Sequence, residues 1–427
     1  MTASGSRLGL NFTWTVAGRG LYAAVQWLIV VVIAQLGGSS EVGLLALALA
    51  IVNPVMIFSQ LSLRVLKATD GTEHHPAADY FSLRLIATLL AGLVCVTVAL
   101  VAEFNSTTRH VILWITLAKM IDNLSDVLYG FHLNRERHEI MSVSLMSRSV
   151  LALGAVALAY AITNDLAVAI ACQAIAWVVI LVLYDLPKTS SLLADKPEGG
   201  RARLLAFNPS GWFELAVIGL PLGVAAFLGS AITNLPRYFV EHHFGTDSLG
   251  LFASMTYLVA FLSLAANAIA QTVAPRLGRA LQAKDPSEFY RMLGRLRLVA
   301  VGVTGLGLLI SVAAGRPLIR MVYGEAFVEA SPILPWVIVA GGLGFATTSA
   351  GYGLIAARRV YAILWSLVAA TLVCFIACWL LIEQIGLYGA VGGWIAGLAT
   401  QLACFEFLLA RQRAMATRFP PQASLPD

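Results

Sequence analysis

Twelve apolar segments, each close to the length that crosses a bilayer, follow one another along this 427-residue chain. A helix rises about 1.5 Å per residue, so roughly 20 apolar residues span a hydrocarbon core about 30 Å thick. The segments fall at about 11–36, 41–66, 81–103, 108–132, 139–162, 165–186, 212–240, 247–275, 296–315, 331–357, 361–382 and 386–410. Charged residues make up only 12% of the chain, against roughly 25% in soluble domains. The expected fold is therefore all-α and polytopic, with about twelve transmembrane helices. The first segment is too long for a cleavable signal, and no small-residue cleavage site follows it, so it reads as the first span.

Charge sets the expected orientation. With the N-terminus inside, the termini and loops assigned to the cytoplasm hold 21 of the 28 Lys and Arg. They include Arg64, Lys67 and Arg84 after span two, and Arg276, Arg279, Arg291, Arg295 and Arg297 around the start of span nine. The opposite loops hold Arg109, Arg316 and Arg320. That asymmetry is the positive-inside pattern. It places both termini in the cytoplasm, and the formal charge of +5 needs no nucleic-acid partner.

The longest polar stretch, 187–211, contains Pro187, Pro197, Gly199 and Gly200 and reads as a cytoplasmic linker. It separates an N-terminal six-helix bundle (1–186) from a C-terminal one (212–410), with 411–427 as a cytoplasmic tail. An internal repeat supports the division. Residues 38–46, GSSEVGLLA, resemble 245–253, GTDSLGLFA, at an offset of 207. The same offset pairs Gln60 with Asn267 and Arg64 with Gln271. Halves of six helices share one membrane orientation, so a pseudo-two-fold axis along the membrane normal should relate them.

Four spans carry polar stripes at helical spacing. Span one has Asn11, Thr15, Arg19, Tyr22 and Gln26; span two has Asn53, Gln60, Arg64 and Lys67. Span seven has Ser230, Asn234, Arg237 and Glu241; span eight has Ser263, Asn267 and Gln271. Such a stripe cannot face lipid, so it faces either a partner helix or a water-filled cavity. Under the cavity reading the substrate-binding candidates are Arg19, Arg64, Arg237, Gln26, Gln60, Asn234, Asn267 and Gln271. A planar guanidinium binds phosphate oxygens two at a time and stays charged, which suits an anionic substrate. Under the other reading these groups bond between helices, and Arg237 pairs with Glu241. On span four, Lys119, Asp122 and Asp126 could form an ion-coupling site. A Lys–Asp pair satisfied inside the bundle is the favoured reading. Glu406 is expected to pair with Arg411 or Arg413.

The five cysteines all lie in apolar segments, so no disulfide is expected. Cys374 and Cys378 share a helix face as small packing residues. External loops are short, the longest near 315–331. No catalytic constellation, metal-ligand spacing or cofactor motif occurs, so the chain is not expected to be an enzyme.

Several stretches resemble bacterial polysaccharide flippases of the Wzx type, of the multidrug/oligosaccharidyl-lipid/polysaccharide exporter (MOP) superfamily. They are the opening of span one with LGGSSEVGLLALALAI, Lys119 to Arg148, Asn234 to Ala253 and Val322 to Leu334. The most specific piece is Ser125-Asp126-Val-Leu-Tyr129-Gly130 followed by Glu136-Arg137. Where the family often has glutamine, this chain has His132. The resemblance implies two six-helix bundles around a cationic cavity in the bacterial inner membrane. It implies export of polyprenyl-diphosphate-linked oligosaccharide for polysaccharide or O-antigen synthesis, with Arg19 the first diphosphate contact and Arg64 and Arg237 next. Membrane lipids, a polysaccharide polymerase and glycosyltransferases are the implied partners. One alternative is a drug or metabolite antiporter of the same superfamily, which would need an acidic site in the first helices. Another is a membrane-embedded glycan polymerase or ligase, which would need a substantial external loop.

Overall fold

The computed structural model describes residues 2–70, 74–194, 204–282, 286–357 and 359–418. Their side chains are described except at 2–9, 260–272, 274–276, 278–279, 281–282, 286, 360 and 414–418. The helices are α1 (Thr2–Ser59), α2 (Leu63–Thr69), α3 (Ala77–Val101), α4 (Ser106–Asn134), α5 (His138–Thr163) and α6 (Leu166–Ile180). A π-helical turn, Leu181–Asp185, leads into α7 (Leu186–Ala194). Then come α8 (Pro209–Gln282), α9 (Pro286–Tyr323), a 3-10 stretch Glu325–Ile333, α10 (Leu334–Ala356), α11 (Val360–Ile385) and α12 (Leu387–Arg418). The protein is thus an all-α polytopic membrane protein.

Among the described residues, nine stretches are long and apolar enough to cross a membrane. Two are too long for one crossing: Leu10–Thr69 has 60 residues and Pro209–Val259 has 51, or roughly 90 and 77 Å of helix. Each breaks at one glycine, Gly38 (φ 77°, ψ −167°) or Gly245 (φ 77°, ψ −179°), a conformation that side chains disfavour. α4 falls outside the nine because it carries Arg109, Lys119, Asp122 and Asp126. The twelve-span reading rests on these two breaks and on α4 as a crossing.

Short polar signals end the helices. Asn105 accepts the Thr108 N–H at 2.7 Å and caps α4. Asn164, at φ 50°, closes α5, and Asp165 accepts the Ala167 and Val168 N–H groups to open α6. Residues 187–194, expected as the start of the linker, are helical instead. Pro187 lies inside the continuous helical run Leu166–Ala194, just after the π-helical turn, where its missing N–H removes one intrahelical bond. Residues 195–203 of that linker lie outside the described residues.

The chain divides into two compact units. The first comprises Met1–Tyr257 with Ile319–Glu329, the second Leu258–Leu318 with Ala330–Asp427. In the first unit α1 packs on α3, α4 and α5, and α4 lies against α2, α3 and α6. Trp27 donates to the Tyr323 hydroxyl at 2.8 Å, which ties α1 to the end of α9. In the second unit α12 packs on α10 and α11. There Cys374 and Cys378 are fully buried against Gly397 and Gly393, the small packing role their spacing suggested.

The repeat near 38–46 and 245–253 is a contact as well as a likeness. The Ser39 carbonyl lies against Gly250, and the Thr246 carbonyl lies against Gly43. Both partners of each contact map onto the other contact at the 207-residue offset. The two breaks therefore meet about a local two-fold, with room for hydrogen only at both glycines.

Candidate functional site

The α1 stripe faces α5 and α4. The Thr15 hydroxyl donates to the Asn11 carbonyl and lies 2.9 Å from His138 Nδ1. Gly18 lies against Ser142, whose hydroxyl donates to the Trp14 carbonyl at 2.7 Å. Arg19 is half-buried and within electrostatic reach of His138, at the first turn of α5. Nineteen residues separate it from Gly38, or roughly 28 Å of helix. Arg19 therefore lies about one crossing's length from the break. Tyr22, one turn further in, faces Asp122, Arg148 and Tyr129. Gln26 has its amide nitrogen buried without a partner among the described residues.

Breaks in α1 supply acceptors for its neighbours. Pro54 has no N–H, which frees the Ala50 carbonyl four residues back, and Tyr238 of α8 donates to it. After Ser59 the chain turns through left-handed Leu61 (φ 46°) and Ser62 (φ 52°). Asn123 of α4 reaches into this break, donating to the Met56 carbonyl at 3.1 Å and the Ser59 hydroxyl at 2.9 Å. Gln60 donates to Asn123 Oδ1 at 2.9 Å. Gln60 thus belongs to an interhelical joint.

Below that joint lies a buried ionic cluster. Asp126 takes Arg64 Nη1 at 2.7 Å on one oxygen and Arg84 Nη2 at 3.1 Å on the other. Asp122 takes Arg148 Nη2 at 2.7 Å and lies 3.8 Å from Lys119 Nζ. Arg148 also donates to the Tyr129 hydroxyl at 3.2 Å and stacks over Trp177, 4.5 Å from the ring centroid. Both Arg84 and Arg148 are fully buried. Arg84 is a correction to the sequence reading, which counted it among the loop cations. It lies two turns into α3, where the apolar run has already begun. Asp185, buried in the π-helical turn beside Ser125 and Ser144, also escaped that reading. The inner pairing expected for Asp122 and Asp126 is what the geometry shows, with arginines as the main partners. Lys67 is likewise engaged, 3.6 Å from Asp70 and 5.2 Å from the Tyr80 ring centroid. Partial burial raises the Asp70 pKa. The His74 N–H, the Lys67 ammonium and the Tyr80 hydroxyl outweigh that and hold it below the ordinary carboxylate value. His132 is buried and 3.1 Å from the Thr189 hydroxyl, a helix-to-helix bond.

Arg237 is built differently. Eight residues separate it from Gly245, about 12 Å of helix. Its Nη1 donates to Asn234 Oδ1 and its Nη2 to the Thr256 hydroxyl, both at 3.3 Å. Its plane lies 5.0 Å from the Tyr257 ring centroid, and its buried Nε has no partner among the described residues. Asn234 is fixed in turn, donating to the Ser230 carbonyl at 2.8 Å. Among the described residues no carboxylate pairs with Arg237; the pairing with Glu241 weighed from sequence is not formed. The side chains of Asn267 and Gln271 lie outside the described residues. In the second unit Glu406 pairs with Arg297, not with Arg411 or Arg413 as expected. α9 runs on from Pro286, so Arg297 is a helix residue facing α12 rather than a loop cation.

The family described as "Polysaccharide biosynthesis protein" matches residues 8–281, which hold α1 to α8 and all of these first-unit features. The chain belongs to this family. It is 25% identical over 383 residues to the capsular polysaccharide biosynthesis protein CapF of Staphylococcus aureus, covering 89% of this chain and 93% of that one. Its backbone resembles an inward-facing multidrug resistance MATE family transporter of the MOP superfamily. That match has a TM-score of 0.69 at 13% identity and covers 96% of this chain and 100% of the other. The eukaryotic MATE transporter AtDTX14 gives 0.67 at 12% identity, covering 97% and 98%. The fold and family agree with the resemblance read from the sequence.

Proposed function

We propose that this protein is a flippase, not an enzyme. In this reading it moves a polyprenyl-diphosphate-linked oligosaccharide from the cytoplasmic to the outer leaflet of the bacterial inner membrane by alternating access. Glycosyltransferases would supply the substrate and a polymerase would use it. Arg237 carries the reading. A guanidinium about 12 Å from the Gly245 break, held among the described residues only by neutral groups, keeps its charge available for an anion. Arg64, about a third exposed, is a second contact that a phosphate reaches by competing with Asp126. Arg19, about 28 Å along the helix from the Gly38 break, serves approach to the site. The antiporter alternative is less well supported, because Asp122 and Asp126 already hold arginines and offer no free acid to a cationic drug.

Arg237→Ala should lower glycan export roughly tenfold to a hundredfold, the weight of a charge-assisted hydrogen bond of about 1.5–3 kcal/mol. Arg237→Lys should retain part of it, since the charge survives and the fork does not. Export is read in cells in which the variant reaches the membrane at native abundance. Full export by the alanine variant would defeat the proposal.

The cationic site also predicts the driving force. Moving one negative charge outward is favoured by about 2.3 kcal/mol per 100 mV, and the same field favours the return of the empty cationic site. In reconstituted vesicles, collapsing the potential at fixed pH should slow outward flipping. An unchanged rate, with dependence on a proton or sodium gradient alone, would reject this account.

A further inference from the structure

The second unit contains a groove of about 460 Å³ between α9, α10 and α12, almost wholly apolar. Its α9 wall runs from Arg297 to Leu308, eleven residues or roughly 17 Å. Its floor is open at one glycine. Gly305 has open space where a Cβ would stand, and Gly342 lies against Thr304. Ala300 and Ala346 keep the walls low. Thr304 offers no polar group, because its hydroxyl donates to the Ala300 carbonyl at 2.7 Å.

One end of the groove is charged. Arg297 and Glu406 close it with a two-bonded ion pair. Arg291 and Arg295 are exposed six and two residues before Arg297 on the same helix, and Arg413 lies over Tyr290, 5.1 Å from its ring centroid. Four arginines against Glu406 and Glu288 leave this end net cationic. In a bilayer, water does not fill an apolar groove; a hydrocarbon chain does. An apolar groove ending in a cationic collar matches one kind of molecule: an amphiphile with a long apolar chain and an anionic head. The absent side chain at Gly305 leaves width for methyl branches, which an isoprenoid chain has and a straight acyl chain lacks.

We propose that this groove binds the first isoprene units of a polyprenyl phosphate or diphosphate, with the phosphate at the Arg297 end. The inference rests on the flippase reading for its substrate and adds a tail site in the second unit. Occupancy of this site and of Arg237 by the same phosphate is successive, not simultaneous.

The test uses the purified full-length protein in nanodiscs and a polyprenyl monophosphate carrying a diazirine in its first isoprene units. Photolabelling, mapped by mass spectrometry, should fall on residues 300–308 and 339–346. Gly305→Trp fills the groove from a position with free space and should cut labelling at least tenfold; Gly305→Ala, the folding control, should keep it. Arg297→Gln should weaken labelling by the phosphate but not by the matching prenyl alcohol. Unlabelled polyprenyl phosphate should compete, and phosphatidylglycerol at the same concentration should not. Labelling elsewhere, indifference to Gly305→Trp, or equal competition by phosphatidylglycerol would overturn the proposal. None of these outcomes depends on transport. Loss of export in Arg237→Ala beside failed groove labelling would sink the groove and leave the flippase reading intact. Groove labelling beside full export by Arg237→Ala would do the reverse.

Discussion

Gly43→Ala and Gly250→Ala will each destabilise the protein by roughly 1–3 kcal/mol, the scale of overpacking a close contact. Neither position needs glycine for its backbone angles; only Gly38 and Gly245 have positive φ in this pair of turns. The reason is steric. A methyl group at Gly43 would overlap the Thr246 carbonyl, and one at Gly250 would overlap the Ser39 carbonyl. Both obstacles are backbone, so no side chain can swing away, and the two turns must separate. Because the contact is reciprocal, the two substitutions break the same thing. The double variant should lose much less than the sum of the singles, a coupling expected only for residues in contact. Thermal unfolding of the three variants in one detergent measures it. Strict additivity, or a single variant as stable as the parent, would show that the turns do not meet in the folded protein.

This contact was partly legible in the sequence. The likeness of 38–46 to 245–253 is a matter of residues, and the glycines mark where chains turn or touch. The two turns touching each other is a matter of tertiary packing, which no local pattern carries. The same division applies to the polar groups. Helical spacing put Thr15, Tyr22 and Gln26 on one face, but whether that face met a cavity or a helix depended on His138 and Arg148 of α5, more than a hundred residues away. Pro54 announced a free carbonyl at Ala50; that Tyr238 would take it could not be read locally. Arg84 was misplaced because its charge suggested a loop. Its partner, Asp126, lies 42 residues on, and a buried arginine looks like a surface one until its carboxylate is found. Glu406 was paired with its sequence neighbours for the same reason, while Arg297 reaches it from another helix. Arg237 was recognisable from its span, but that no carboxylate among the described residues pairs with it is visible only in three dimensions.

Asp126→Asn will cost about 3–5 kcal/mol of stability, the effect of leaving a buried charge without its partner. The charge in question is Arg84, whose guanidinium has no exposed surface and whose Nε and Nη1 have no other partner among the described residues. Arg64, on the other oxygen of Asp126, is about a third exposed, so water can take up its charge. The penalty therefore belongs mainly to the Arg84 side. Arg64→Gln should cost under about 1 kcal/mol, as for an ion pair open to solvent. Replacing both buried partners, Asp126→Asn with Arg84→Met, should recover most of the loss, because no unpaired ion then remains. Denaturation in detergent of the single and double variants forms the cycle that isolates the pair. The same cycle separates the two roles open to the α4 carboxylates. A structural ion pair predicts loss of stability in Asp126→Asn and its recovery in the double variant. A coupling carboxylate predicts an Asp126→Asn protein of normal stability whose export no longer responds to a proton or sodium gradient. That second outcome would move Asp126 from the frame of the first unit into its transport cycle.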